Sequence, residues 1–147
     1  KRLAALGTLT QAGVPTHCSI APVIPAITDD AMEGIVARAA ELGVTSAGWI
    51  PLRLPHEVAP LFREWLETHF PDRKDKVMGI VRSIRNGRDN DPDFFSRLKP
   101  QGVWADLFRA RFRVACRRAG IGDGKAKFAL DCAQFRVPTT GGQLRLL

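Results

Sequence analysis

Ser19–Asp30 reads SIAPVIPAITDD, and Trp49–Pro55 reads WIPLRLP. Both have the apolar, β-branched look of a buried strand, and both are interrupted twice by proline: Pro22 and Pro25 in the first, Pro51 and Pro55 in the second. Proline has no N–H to give to a ladder, so paired prolines fit where a strand is leaving its sheet. Working outward, the same order of elements occurs twice. Leu3, Leu6 and Leu9 lie on one side of a helix that Gly13 ends, and Val14–Ile24 follows as a strand. Asp30 and Glu33 then form a D-x-x-E capping box before a helix striped with Met32, Ile35, Val36, Ala39 and Ala40. Gly43 ends that helix, and Val44–Leu54 is the next strand. Gly13-Val14 matches Gly43-Val44 and Pro25 matches Pro55, at an offset of thirty residues. Strands joined by a crossover helix are the unit of a parallel α/β sheet or barrel, whose ligands sit at the carboxyl ends of the strands. The prolines therefore mark the rim of an expected cleft.

After Pro55 the strand signals nearly stop. Val58, Leu61, Phe62, Trp65, Leu66 and Phe70 have helical spacing and end at Pro71. Asp72 caps a second helix with Val77, Ile80, Val81 and Ile84 inward, closed by Asn86-Gly87. A polar loop over 87–102 leads to a third helix, Val103–Ala119, with Trp104, Leu107, Phe108, Phe112, Ala115 and Cys116 on one face. The expected organisation is two α–β units over 1–55, a helical extension over 56–121 and an irregular, glycine-rich tail over 122–147.

The 147 residues are 45% hydrophobic and 25% charged, which suits one soluble globular domain with a real core. No apolar run approaches the ~20 residues of a membrane span, and no signal peptide is expected. Lys1 already lies inside a helical pattern, so the chain reads as a piece of a longer protein. Cys18, Cys116 and Cys132 are odd in number and contain no C-x-x-C pair, which excludes a disulfide framework and points to a reducing cytoplasm. The net charge of +7 favours anionic partners, nucleic acid first.

Few motifs carry chemistry. Asp89, Asp91 and Asp93 begin like an EF-hand loop, but Phe94 stands at its sixth position and Pro100 at its twelfth, so calcium is rejected. His17-Cys18 lacks a second ligand pair, and His56, near the expected rim, lacks a nucleophile beside it. The basic residues are more suggestive. Arg82, Arg85, Arg88, Arg97 and Lys99 cluster in the second helix and loop, and Arg109, Arg113 and Arg117 recur every four positions on the third helix, with Arg111 and Arg118 as a second edge. They make either a phosphate-binding stripe or a solvated face partly neutralised by Asp106. With no tyrosine in the chain, base stacking on exposed aromatics is not expected.

A-P-V-I-P-x-I-T-D (21–29), S-A-G-W-I-P-L-R-L-P (46–55), F-R-E-W-L-x-x-H-F-P (62–71) and R-N-G-R-D (85–89) together resemble a bacterial radical S-adenosylmethionine family, the spore photoproduct lyase-like or DNA repair photolyase-like group. The resemblance covers Lys1 to about Ile121 and, loosely, the remainder. It implies the C-terminal portion of a partial (β/α)6 barrel, with this chain supplying the fifth and sixth strands and a mainly helical extension. The family's cofactors are S-adenosylmethionine and a 4Fe–4S cluster held by C-x-x-x-C-x-x-C far upstream; that motif is absent here, so the chain alone is expected to be inactive. In the complete enzyme a 5′-deoxyadenosyl radical abstracts hydrogen from substrate. The resemblance further implies that Ser19, Ala21, Val23 and Ile24 on one strand end, and Ile50, Leu52 and Arg53 on the other, meet the adenosine. Arg53 is the only charge in that second strand, and meets either a ligand carboxylate or phosphate or a neighbouring barrel carboxylate. The group's naming lyase acts on DNA, which fits the basic helices; the alternative is a non-catalytic basic helical module that binds nucleic acid. Gln143–Leu147, QLRLL, resembles the Q-L-x-L-F peptide that docks on the sliding clamp. Two isolated strands leave an open edge, so dimerisation or edge pairing is expected.

Overall fold

The computed structural model describes residues 1–124 and Ala133. Helix α1 (Arg2–Gln11) leads to strand β1 (His17–Val23), helix α2 (Met32–Glu41) and strand β2 (Ser46–Pro51). Helices α3 (Val58–His69), α4 (Lys74–Ser83) and α5 (Gly102–Ala119) follow. The fold is mixed α/β, with two parallel strands and five helices among the described residues.

The thirty-residue echo is a repeated backbone device. At the end of α1, Gly13 is left-handed (φ 77) and the Val14 N–H reaches back to the Leu9 carbonyl at 3.0 Å. At the end of α2, Gly43 (φ 81) and Val44 repeat it, Val44 N–H donating to the Ala39 carbonyl at 3.1 Å. Both are Schellman closures, in which glycine takes the conformation that a Cβ penalises. A Cβ on Gly43 would also stand 2.7 Å from Thr10 Cγ2, so this glycine additionally lets the two helix ends approach.

Pairing begins at His17 with Ser46, an offset of 29, and ends at Val23 with Pro51, an offset of 28. The extra residue lies between Ile20 and Val23, so Pro22 sits inside β1 at a bulge rather than at its exit. A bulge demands no ladder bond from Pro22, and it returns Val23 to the face occupied by Cys18 and Ile20. Pro51 closes β2, as the reading of strand exits requires. The strands are shorter than Val14–Ile24 and Val44–Leu54, because Leu52 and Leu54 turn away into a separate core.

That division organises the molecule. Cys18, Ile20 and Val23 of β1 pack with Met32, Val36 and Ala39 of α2 and with Phe112, Ala115 and Cys116 of α5. Leu52 and Leu54 instead join Leu66 of α3 and Val77, Met78 and Val81 of α4. Trp49 and Phe108, edge to face at 6.1 Å, connect the first core to a third around Ile80 and Ile84. Each fully buried aliphatic or aromatic side chain contributes about 1.5–3 kcal/mol relative to exposure. The extension is thus anchored by the rim of β2 at one end and by the return of α5 onto α2 at the other.

The expected capping box does not form. No side chain caps the start of α2; Thr28 Oγ1 accepts the Ile24 N–H instead, and Glu33 faces Arg111 of α5. Asp72 likewise lies within a 3-10 turn (Pro71–Arg73) and makes no cap.

Among the described residues the other face of the sheet is open except at its Ser46 end, where Gly122 and Gly124 approach it. His17, Ser19 and Ala21 of β1 and Ile50 of β2 are exposed there. Beyond β2, Gly122 forms a short parallel bridge: the Ala47 N–H donates to its carbonyl and its own N–H to that of Thr45, both at 2.9 Å. The outer edge of β1 has no ladder partner among the described residues. Among those residues no helix is long and apolar enough to cross a membrane.

Candidate functional site

At the carboxyl end of β2 the chain runs Leu52-Arg53-Leu54, both leucines buried and Arg53 half-buried between them. Just past α4, Asn86 (φ 54) and Gly87 (φ 81) reverse the chain directly after Arg85. Arg85 is only 4% exposed. Its Nη2 donates to the Leu52 carbonyl at 2.8 Å and its Nη1 to the Arg97 carbonyl at 3.0 Å. One buried guanidinium therefore pins the backbone of two segments, each presenting an arginine at or next to the pinned carbonyl.

These arginines are short of acceptors. Among the described residues Arg85 Nε is buried without a partner, and so are Arg53 Nε, Arg97 Nε and Arg63 Nε. Arg53 makes no hydrogen bond or ion pair among the described residues. Arg97 lies over the Phe94 ring at 4.7 Å. Burial lowers the pKa of Arg85 first, the neighbouring Arg53 charge lowers it further, and Asp91 partly restores it. Asp91 is itself engaged by Ser96 Oγ at 2.6 Å and the Asp93 N–H at 3.0 Å; Ser96 first, then that N–H, hold its pKa down. Asp93 accepts the Phe95 and Ser96 N–H groups, and Asp89 is held by Arg63 and Arg82. Five arginines thus share three aspartates whose oxygens largely serve turns and other cations. A buried polar atom left unpaired costs about 1–3 kcal/mol, so such a group calls for an explanation.

Arg53, expected at the cofactor, stands with Arg85 and Arg97, expected at nucleic acid; the structure joins two separate readings into one site. The other expected cofactor contacts do not converge as a set. Ser19, Ala21 and Ile50 share the open face, and Ile24 is half-buried against the second core. Val23 and Leu52 have their side chains buried in cores and offer the rim only backbone, the Leu52 N–H donating to the Val23 carbonyl. Among the basic residues, Arg82 is tied to Asp89, and Arg109 to Asp106 and the Pro100 carbonyl. Arg88, Lys99, Arg113 and Arg117 are exposed.

Phe94 and Phe95 are 69% and 76% exposed beside Arg97, so the loop does present aromatic rings to solvent although stacking on such rings is not expected from the sequence. No local pattern marked them, because two adjacent phenylalanines in a polar loop read equally well as a buried turn. His17 and Cys18 point to opposite faces, His17 Nδ1 meeting Ser46 Oγ at 2.8 Å and Cys18 entering the core, so they do not form a ligand pair. Burial raises the Cys18 thiol, and burial followed by the Asp123 charge pushes Cys116 up to about 11. Among the described residues no three His, Cys, Asp or Glu side chains are grouped to hold a metal. An open groove of about 880 Å³ lies between α2 and α5, floored by alanines and walled by Glu33 and Arg111. Cys132 and Gln143–Leu147 lie outside the described residues.

No known family model matches the chain, and neither a curated protein nor a solved structure is similar to it.

Proposed function

We propose that this chain is the C-terminal part of a radical S-adenosylmethionine enzyme of the spore photoproduct lyase-like group, contributing the last two units of a partial (β/α)6 barrel. One observation carries the reading: among the described residues the open part of the sheet face and the unpaired edge of β1 occur together, as they would if preceding strands completed a barrel wall there. An isolated two-layer domain has no use for an open sheet face exposing Ile50.

The residues present do not fit the iron–sulfur cluster. Its ligands must be accessible thiolates, whereas Cys18 and Cys116 are buried and their thiols favour the protonated form. The cluster belongs to upstream cysteines in this reading. For S-adenosylmethionine the fit is better. Ser19, Ala21 and Ile50 offer an open surface of small and apolar groups for the adenosine. The cofactor supplies the radical; these residues orient it and keep water from one side. The test is made on the longer native polypeptide, reconstituted without oxygen. Release of 5′-deoxyadenosine that falls at least tenfold in Ile50→Glu is expected; a native polypeptide lacking C-x-x-x-C-x-x-C would overturn the reading.

A second reading, nucleic-acid binding without catalysis, is favoured by exposed Arg113 and Arg117 on α5 and by the exposed Phe94–Phe95 pair. It requires affinity for DNA that falls steeply with salt, with the slope reduced by about 1 for each phosphate-contacting arginine removed.

A further inference from the structure

We propose that Arg53 and Arg97 form a binding site for a phosphate group at the carboxyl end of β2, with Arg85 as the positioning residue beneath them. The inference rests on this chain's own residues and stands apart from the radical chemistry.

Three features point to a ligand. Arg85, nine-tenths buried and more, keeps an Nε unpartnered among the described residues, and the Nε atoms of Arg53 and Arg97 are in the same condition. Arg53 is half-buried next to another cation, with no carboxylate bonded to it among the described residues. Unrelieved like charge in a partly dry setting disfavours the folded chain, and an anion relieves it. Finally, Arg85 grips the carbonyls of Leu52 and of Arg97 with its two Nη atoms, which fixes Arg53 and Arg97 on either side of one guanidinium. The Nη atoms of Arg53 and Arg97 make no hydrogen bond among the described residues, so both guanidinium groups keep donors for an anion.

The size of the charge surplus selects the ligand. Arg53, Arg63, Arg82, Arg85 and Arg97 face Asp89, Asp91 and Asp93, leaving two positive charges unbalanced. A phosphate dianion matches that surplus better than a single carboxylate. A terminal phosphate monoester supplies close to two negative charges at neutral pH, whereas a phosphodiester, like a carboxylate, supplies one, so the surplus favours the monoester.

The experiment is titration calorimetry of the 147-residue chain at low ionic strength with phenyl phosphate, dimethyl phosphate and, as a control, sodium chloride at matched ionic strength. Saturable binding of a phosphate probe is expected, weakened at least tenfold in Arg53→Gln and in Arg97→Gln and unchanged in Arg117→Gln. Tighter binding of phenyl phosphate than of dimethyl phosphate is expected of a monoester site; the reverse order would overturn the charge argument that selects the ligand. Arg85→Lys keeps the charge but cannot hold both carbonyls, so it is expected to weaken binding while leaving the circular dichroism spectrum intact. The proposal is overturned if neither probe saturates, if chloride reproduces the heat, or if Arg53→Gln and Arg97→Gln, both folded by circular dichroism, bind as the parent does.

Discussion

Arg111 and Arg85 are both arginines drawn out of solvent, and they are treated oppositely. Arg111 meets a full complement of acceptors: Nε to Glu33 Oε1 at 2.7 Å, Nη2 to Glu33 Oε2 at 2.9 Å and to the Asp29 carbonyl at 2.6 Å, and Nη1 to Asp29 Oδ2 at 2.9 Å. Hydrogen bonding to Glu33 is the first cause that raises its pKa. Arg85 is buried more deeply, bonds two neutral carbonyls, faces a second cation, and has its pKa lowered by that burial first. The difference separates two uses of one side chain. Arg111 staples α5 to the start of α2 and is complete as it stands. Arg85 and its neighbours are incomplete without an anion.

Removing Arg111 is expected to have the largest effect on stability. Arg111→Met leaves the Glu33 and Asp29 carboxylates without their cation, at a cost of about 2 kcal/mol, lower than for a fully buried pair because solvent reaches these groups. Chemical denaturation of the two proteins at pH 7 checks this. Acid should erase part of the difference. The Arg111 hydrogen bond is the first cause that lowers the folded Glu33 pKa below its ordinary 4.5. A group depressed in the folded state stabilises above its unfolded pKa, and that stability is lost as pH falls through the folded value. The gap between parent and Arg111→Met should therefore be constant above about pH 5 and narrow below pH 4.5. A gap that widened in acid would remove Glu33 from the account.

Arg85→Met is expected to cost less, about 1 kcal/mol or under, because the two orphaned carbonyls are offset by removal of a buried charge that repels Arg53. If Arg85→Met proved more destabilising than Arg111→Met, the contrast between a completed and an incomplete arginine would fail. The smallest effect belongs to Arg53→Gln, within about 0.5 kcal/mol of the parent and of either sign, since no bond is lost and one like-charge contact is relieved. A loss of 2 kcal/mol there would mean that Arg53 has a structural partner after all.

The helical extension and the two α–β units were readable because their signals are local: Gly-Val after each amphipathic stripe, and helical spacing from Val58 to Phe70 and from Val103 to Ala119. The bulge at Pro22 was not readable, since proline ends a strand or hides in a bulge with the same sequence, and only the partner strand decides. The capping box failed for a related reason. Glu33 has the spacing to reach back toward Asp30, but Arg111, far away in sequence, offers a charge-assisted bond that a local rule cannot weigh. At the candidate site, Arg53 stood out as a lone charge among apolar residues. Arg85 did not, because burial of one arginine in the run Arg82-Ser83-Ile84-Arg85-Asn86 follows from the turn at Asn86-Gly87 and from carbonyls that other elements deliver. The partial barrel itself remains a proposal, resting on the sheet's open face and unpaired edge.

The bridge at Gly122 has a consequence for how this chain, separated from the strands proposed to precede it, meets others of its kind. By engaging Thr45 and Ala47 it occupies the start of the β2 margin, so an incoming strand finds ready backbone groups mainly along β1. A sheet obstructed on one side is a poor monomer for a fibre, because elongation needs two free ends per molecule and this one offers a single good one. Two copies joined through β1 would leave an obstructed margin at each extremity. Growth would then stop at the pair, and a sticky edge would yield a closed, countable assembly instead of an aggregate.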